Sequence, residues 1–222
     1  KKQLAVSLRS HIANCFLPLI AALCYKESSV LKIIFIGISF LLITSCVSTA
    51  PLLNVTTPLH IYGVSSFSPS NGDWSVVTSS GYQVALRTSL RNSDSGVINM
   101  SLHQIPEFTS DKEFLAHVVK QRASSPDIGR FDLKKNSEVL VPLDGAICVK
   151  HRTTSQDNSA KIKDNKSAVM LIEYIGYNCI HPYKKSVGVH TEYSLRHFVD
   201  SEYPAFDKNA DEFFNNIKFS EF

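Results

Sequence analysis

The sequence predicts an α+β domain, an antiparallel sheet with helices packed on one face. Three observations lead there. Runs with a period of two come as a block, one stretch with a helical period interrupts them, and an amphipathic helix closes the chain. Hydrophobic residues make up 44% of the 222 positions and charged residues 19%, a low figure because the first fifty positions hold few charges. That length suits one domain with a proper core plus a further segment.

The block opens with "DWSVVTSSGYQVALRTSL", where Trp74 and Val76, then Tyr82, Val84 and Leu86, alternate with polar or small residues around the turn "SSG". This is a hairpin pattern. Ile98, Met100 and Leu102 continue the alternation and predict a third strand. In "TSDKEFLAHVVKQRASSP" the period changes, and Phe114, Leu115, Val118 and Val119 share one helical face. Ser110 and Glu113 form a capping box that satisfies free N–H groups at the start of this helix, and Pro126 ends it.

Three more strands are expected from "SEVLVPLDGAICVKHRT", "SAVMLIEYIGYNC" and "SVGVHTEYSLRHF". A polar loop, "TTSQDNSAKIKDNKS", separates the first two. Ala168 to Tyr177 is apolar on both faces and is expected at the centre of the sheet. The last strand places Val187, Val189, Thr191, Tyr193 and Leu195 on one side and His190, Glu192, Ser194 and Arg196 on the other. Ala210, Phe213, Phe214 and Ile217 then fall at i, i+3, i+4 and i+7 of a final helix, with Asn209 and Glu212 as its expected cap. With Trp74, Tyr82, Phe114 to Val119 and Ile217 to Phe219 in this order, the domain resembles the PsbP-like fold. That resemblance implies a small binding or assembly-supporting module, usually without catalysis.

Ahead of this domain, "KIIFIGISFLLITSC" is an apolar run that begins at Lys32 and stops at Cys46. It is shorter than the roughly 20 residues needed to cross a bilayer, and so is "NCFLPLIAALC" before it. A basic start, an apolar stretch and small residues before the cysteine are the order of a secretory signal. Its end, Ile43-Thr44-Ser45-Cys46, resembles the bacterial lipobox. The resemblance implies that Cys46 carries a lipid and becomes the N-terminus, residues 1–45 being an upstream segment and signal peptide. Translation starting near Val30 or Leu31 would account for the upstream part. Residues 46–71, rich in Ser, Thr and Pro, read as a tether with a short strand at Leu59 to Val64, and 72–222 as the exported domain. Val47 rather than Asp after the anchor implies outer-membrane sorting.

Removing residues 1–45 takes away five basic residues and one acidic one, leaving 18 basic against 19 acidic. No basic patch then argues for nucleic acid, so the expected contacts are the membrane through the lipid and an envelope protein partner. Of five cysteines, Cys148 and Cys179 remain besides Cys46, and an even pair in an exported chain predicts a disulfide.

The residues that could carry chemistry gather in "CIHPYKKSVGVHTEYSLRH". Cys179, His181 and either His190 or Glu192 are weak zinc candidates, because Cys-x-His is not a usual structural-zinc spacing. Ser194, His190 or His197, and Asp200 could be read as a triad, yet no nucleophile-elbow glycines surround the serine. No phosphate-binding glycine loop is present in the sequence. The expectation is therefore a non-catalytic envelope protein without a cofactor. The alternative is an envelope hydrolase or metal-binding enzyme that uses the His190 and Glu192 strand face.

Overall fold

The computed structural model describes residues 58–70, 72–124, 130–163 and 166–222, and their side chains except at 92 and 159–168. The signal run, Cys46, the start of the tether and Pro126 lie outside the described residues. No described helix is long and apolar enough to cross a membrane.

Strands hold more than half of the described residues and form two antiparallel sheets. The first two, β1 (Pro58–Ile61) and β2 (Val64–Phe67), are a hairpin, to whose second strand the two-residue β10 (Lys218–Phe219) adds. Leu59, Ile61 and Val64 are buried, so the short strand expected within the tether is part of the folded unit. The larger sheet contains β3 (Ser75–Ser79), β4 (Gln83–Ser89), β5 (Ser95–Gln104), β6 (Phe131–Leu143), β7 (Ala146–Lys163), β8 (Lys166–Ile180) and β9 (Val187–Phe198). Its order is β3-β4-β5-β9-β8-β7-β6. The central strand is thus β9, and β8, expected at the centre, is its neighbour.

Two α-helices are described, α1 (Asp111–Ala123) and α2 (Phe206–Asn215). They do not share a face of the sheet. The register pairs Cys148 with Cys179, and its neighbour Val149 with Asn178, so these pairs point to opposite sides. On the side of Cys148 and Cys179, the main core packs Ile98, Met100, Tyr193 and Leu195 against Ala210, Phe213 and Phe214 of α2 and Leu59, Ile61 and Val64 of the small sheet. On the side of Val149, Phe114 and Val118 of α1 form a smaller cluster with Leu140 and Ile180. The α+β arrangement with helices on one face, PsbP-like in outline, is overturned: the fold is β-rich and its helices lie on opposite faces.

The extra strand comes from a turn inside "SEVLVPLDGAICVKHRT". Leu143 pairs with Ala146, which leaves Asp144 and Gly145 as a two-residue loop. Both have positive φ, 47° and 81°. A hairpin of this type needs two left-handed residues, and Asp-Gly supplies them at low cost. Asp144 also accepts hydrogen bonds from the Phe219 N–H at 2.8 Å and the Lys218 Nζ at 3.0 Å, which fastens β10 to the hairpin tip. These bonds, the backbone one foremost, hold its carboxyl below the usual range. The polar stretch expected as a loop belongs mostly to β7, which runs to Lys163. Its Thr153 and Ser155 are buried on the α1 side, where the sheet face is polar.

Helix α1 carries half of the expected capping box. Ser110 Oγ accepts from the Glu113 N–H at 3.3 Å, whereas the Glu113 carboxylate reaches back to the N–H and hydroxyl of Thr109, at 2.8 and 2.9 Å. In α2 the expected buried residues are buried, but the helix begins at Phe206, so Asn209 lies inside it. Glu212 instead accepts from Ser70, at 3.1 Å from its N–H. The predicted disulfide is present, joining Cys148 of β7 to Cys179 of β8 across a directly opposed pair.

Candidate functional site

Helix α1 covers only part of its face of the sheet, and beside it lies an open groove of about 730 Å³. Its floor consists of side chains from the even-numbered positions of β8 and β9 and the odd-numbered positions of β5 and β7. One cross-strand row runs Ser101, His190, Asn178. The next runs Asn99, Glu192, Gly176, His151, Glu138, and a third contains Tyr174, Thr153 and Asn136. The strand alternation read from the sequence, with His190 and Glu192 on one side, is what brings these two residues to the groove.

Arg122, in the last turn of α1, forms one wall. It donates to Glu138 Oε1 at 3.2 Å, to Thr153 Oγ1 at 2.7 Å and to Asn136 Oδ1 at 3.4 Å. Thr153 Oγ1 donates to Asn136 Oδ1, and Asn136 Nδ2 to Glu138 Oε1, at 2.7 and 2.8 Å. This guanidinium and carboxylate therefore neutralise one another at the rim.

The middle of the floor is less satisfied. With Asn178 turned so that its Oδ1 meets His190 Nδ1 at 3.1 Å, the imidazole Nδ1–H donates and Nε2 is left as an acceptor. Asn178 is buried and its Nδ2 has no hydrogen-bond partner. Glu192 Oε2 lies 3.9 Å from His190 Nε2, beyond a hydrogen bond. Burial pushes the Glu192 carboxyl up to about 7, against the smaller opposing pull of Arg122. Burial foremost, with smaller coulombic contributions from His103 and Arg122, takes His190 down to about 4. Beneath them His151 is fully buried, its ring parallel to that of His190 at 6.1 Å between centroids and both its nitrogens unpartnered. Burial lowers it to about 2. At neutral pH these imidazoles are uncharged.

The weak zinc candidates are not brought together. His181 stands at the end of β8 on the other side of the sheet, in the parity of Cys179, and Cys179 is oxidised. The His181 Nε2–H donates to the Gly63 carbonyl at 3.1 Å, joining the two sheets, while Nδ1 accepts from the Tyr183 N–H at 3.3 Å within its own turn, so both ring nitrogens are engaged. Among the described residues no group of three or more His, Cys, Asp or Glu side chains could hold a metal. Nor does a triad form. Ser194 donates to the Val97 carbonyl at 3.3 Å, and His197 lies on the far face, bonded to Glu173 at 3.2 Å. Four residues along one strand separate Ser194 from His190 by about 13 Å.

Arg122 and Asn178 of this groove, and His151 beneath it, were not singled out by the sequence. The available signal was in "YIGYN", which places Tyr174, Gly176 and Asn178 at alternate positions and so marks a sheet face not wholly buried in a core.

No family model matches the chain, and no curated protein matches it. A crystal structure of a protein from Bacteroides thetaiotaomicron VPI-5482 is similar over 76% of this chain, with 12% identity and a TM-score of 0.39. The match spans half the length of that protein.

Proposed function

We propose that this protein is a lipid-anchored, non-catalytic component of a bacterial cell envelope, held through Cys46 at the outer membrane facing the periplasm. Its domain serves as a binding or assembly-supporting module. The groove beside α1 carries the binding part of this reading: it is concave, of a volume usual for ligand sites, and its floor includes the buried Asn178 Nδ2, which lacks a partner within the protein. The lipobox-like Ile43 to Cys46 supports the anchor, and a disulfide suits an oxidising compartment.

Two measurements test the two parts. Mass spectrometry of protein from the native membrane is expected to find Cys46 as a diacylated N-terminus, and Cys46→Ala to lose palmitate incorporation; an N-terminus upstream of Cys46 refutes the anchor. A photoreactive side chain at Gln121, on the groove rim, is expected to give envelope adducts that the same group at Val77, exposed on β3, does not. Identical adduct patterns at both positions refute the groove as the binding site.

One observation favours a second reading, an envelope hydrolase. A carboxyl raised to about 7 beside a neutral histidine is poised as a general acid. Turnover of chromogenic glycosides or esters that disappears in folded Glu192→Gln would establish it over the non-catalytic reading.

A further inference from the structure

We infer that the groove beside α1 binds an uncharged saccharide, with Asn178, His190 and Glu192 holding ring hydroxyls. This rests on the reading of the groove as a binding site and adds the chemical class of its occupant.

Charge comes first. The one cation on the groove wall, Arg122, is already bonded to Glu138, the imidazole of His190 is neutral, and burial holds that of His103 below its ordinary value. A phosphate or carboxylate ligand would find no unpaired positive group among the lining residues, and a cationic ligand would have to compete with Arg122 for Glu138 or draw out the ionised form of Glu192, which burial disfavours. The neutral ligand meets no such cost.

The second argument is the pattern of donors and acceptors. Asn178 Nδ2 offers a donor without a partner, and His190 Nε2 offers an acceptor whose role is fixed by the bond at Nδ1. Glu192, 3.9 Å further on, either donates or accepts. A hydroxyl both donates and accepts, so adjacent hydroxyls of one sugar ring can satisfy such a row. The surrounding Phe131, Leu133 and Val119 give the groove apolar wall against which the C–H faces of a sugar can pack.

The third argument separates saccharides from peptides. An extended peptide is usually recognised by backbone pairing at a sheet edge or by apolar pockets. Here the floor is the face of β5, β9 and β8, and their backbone groups are engaged with neighbouring strands. These interior strands present only side chains to the ligand, and the edge strand β6 lines the groove through Phe131, Leu133, Asn136 and Glu138. The volume of about 730 Å³ leaves room for about two or three hexose units.

The test is calorimetry on the full chain in a detergent without a sugar headgroup. The probes are neutral hexose di- and trisaccharides, the same sizes carrying a uronate or phosphate, and tetrapeptides. Neutral saccharides are expected to bind, charged ones to bind more weakly, and peptides not at all. Asn178→Ala is expected to weaken the binding roughly tenfold by removing one hydrogen bond. Ser101→Trp, which fills the groove from β5 without removing any of the three polar partners, is expected to abolish it. Unchanged melting temperatures show that either variant is folded, and one folded variant suffices. Saccharide binding unaffected by a folded variant overturns the site. Failure of every neutral saccharide overturns the assignment, as does preferential binding of the charged sugars. Peptide binding sensitive to Ser101→Trp overturns the saccharide class while leaving the binding-module reading in place. That reading fails separately, if the crosslinks from Gln121 and Val77 are the same.

Discussion

His151 occupies the space that a side chain at Gly176 would need. A Cβ on Gly176 would stand 2.5 Å from His151 Nε2 and 2.8 Å from the Thr191 carbonyl oxygen. The two residues are cross-strand partners on β7 and β8, so the bare backbone of one strand is the bed on which the imidazole of the other lies. Gly176→Ala must push against backbone as well as ring. Overpacking of this kind costs about 1 to 3 kcal/mol. Urea denaturation is expected to show that loss as a lower midpoint at constant slope. If the midpoint is unchanged, the imidazole does not lie over Gly176.

The buried His151 and the part-buried His190 make the fold sensitive to acid. For His151 and His190 the folded pKa lies below the unfolded value, so below about 6.5 the unfolded chain binds protons that the native one does not. Each histidine then removes stability as the pH falls, by up to about 1.4 kcal/mol per pH unit, until its folded pKa is reached. His151→Leu removes one such group together with its two unpartnered nitrogens. The variant is expected to have a shallower decline of melting temperature between pH 6.5 and 4 than the parent. Parallel curves would show that His151 is not held neutral.

Glu192 has the opposite sign. Its folded pKa is raised, so between about 4.5 and 7 the native state holds a proton that the unfolded state has lost, and stability falls as the pH rises through that window. Glu192→Gln keeps the shape of the protonated carboxyl without the ionisation. Chemical denaturation is expected to find the variant about 1 to 3 kcal/mol more stable than the parent at pH 8, with little difference at pH 4. Equal stability at pH 8 would mean that the groove solvates the carboxylate well.

What the sequence told in advance follows from where burial is one-sided. Val84 and Leu86 in β4, Ile98 and Met100 in β5, and Tyr193 and Leu195 in β9 alternate because one face meets the core and the other does not. The same alternation put His190 and Glu192 together on one side. Thr153 and Ser155 defeated it: they are buried beside a polar groove, so their strand carries no apolar period and reads as a loop. The Asp144-Gly145 turn was legible from residue chemistry alone, but the flanking run is apolar enough to pass for one strand. Which face each helix takes depends on the register between β7 and β8, a long-range relation that no local pattern contains. The chemistry of Asn178 is hidden for the same reason, since its burial and its bond to His190 exist only once β8 and β9 are paired.

The disulfide offers a prediction with two independent readouts. Cys148 and Cys179 are both buried, with exposures of 0% and 1%, and they sit in the core between the interior strands β7 and β8. Their separation of 31 residues gives a closed loop whose entropy in the unfolded chain is worth roughly 3 to 4 kcal/mol on the chain-entropy account. The ladder runs on from the bridge, pairing Val149 with Asn178 and Lys150 with Tyr177. That ladder and the surrounding core remain when the bridge is broken. The double variant Cys148→Ala, Cys179→Ala is therefore expected to fold with the same far-ultraviolet spectrum, but with a lower denaturation midpoint. The native parent is expected to resist alkylation in the absence of reductant, and to label at both positions only after reduction in denaturant. Labelling of the native protein without reductant would refute the bridge. An unchanged midpoint in the double variant would show instead that the bridge closes a loop already held by the unfolded chain.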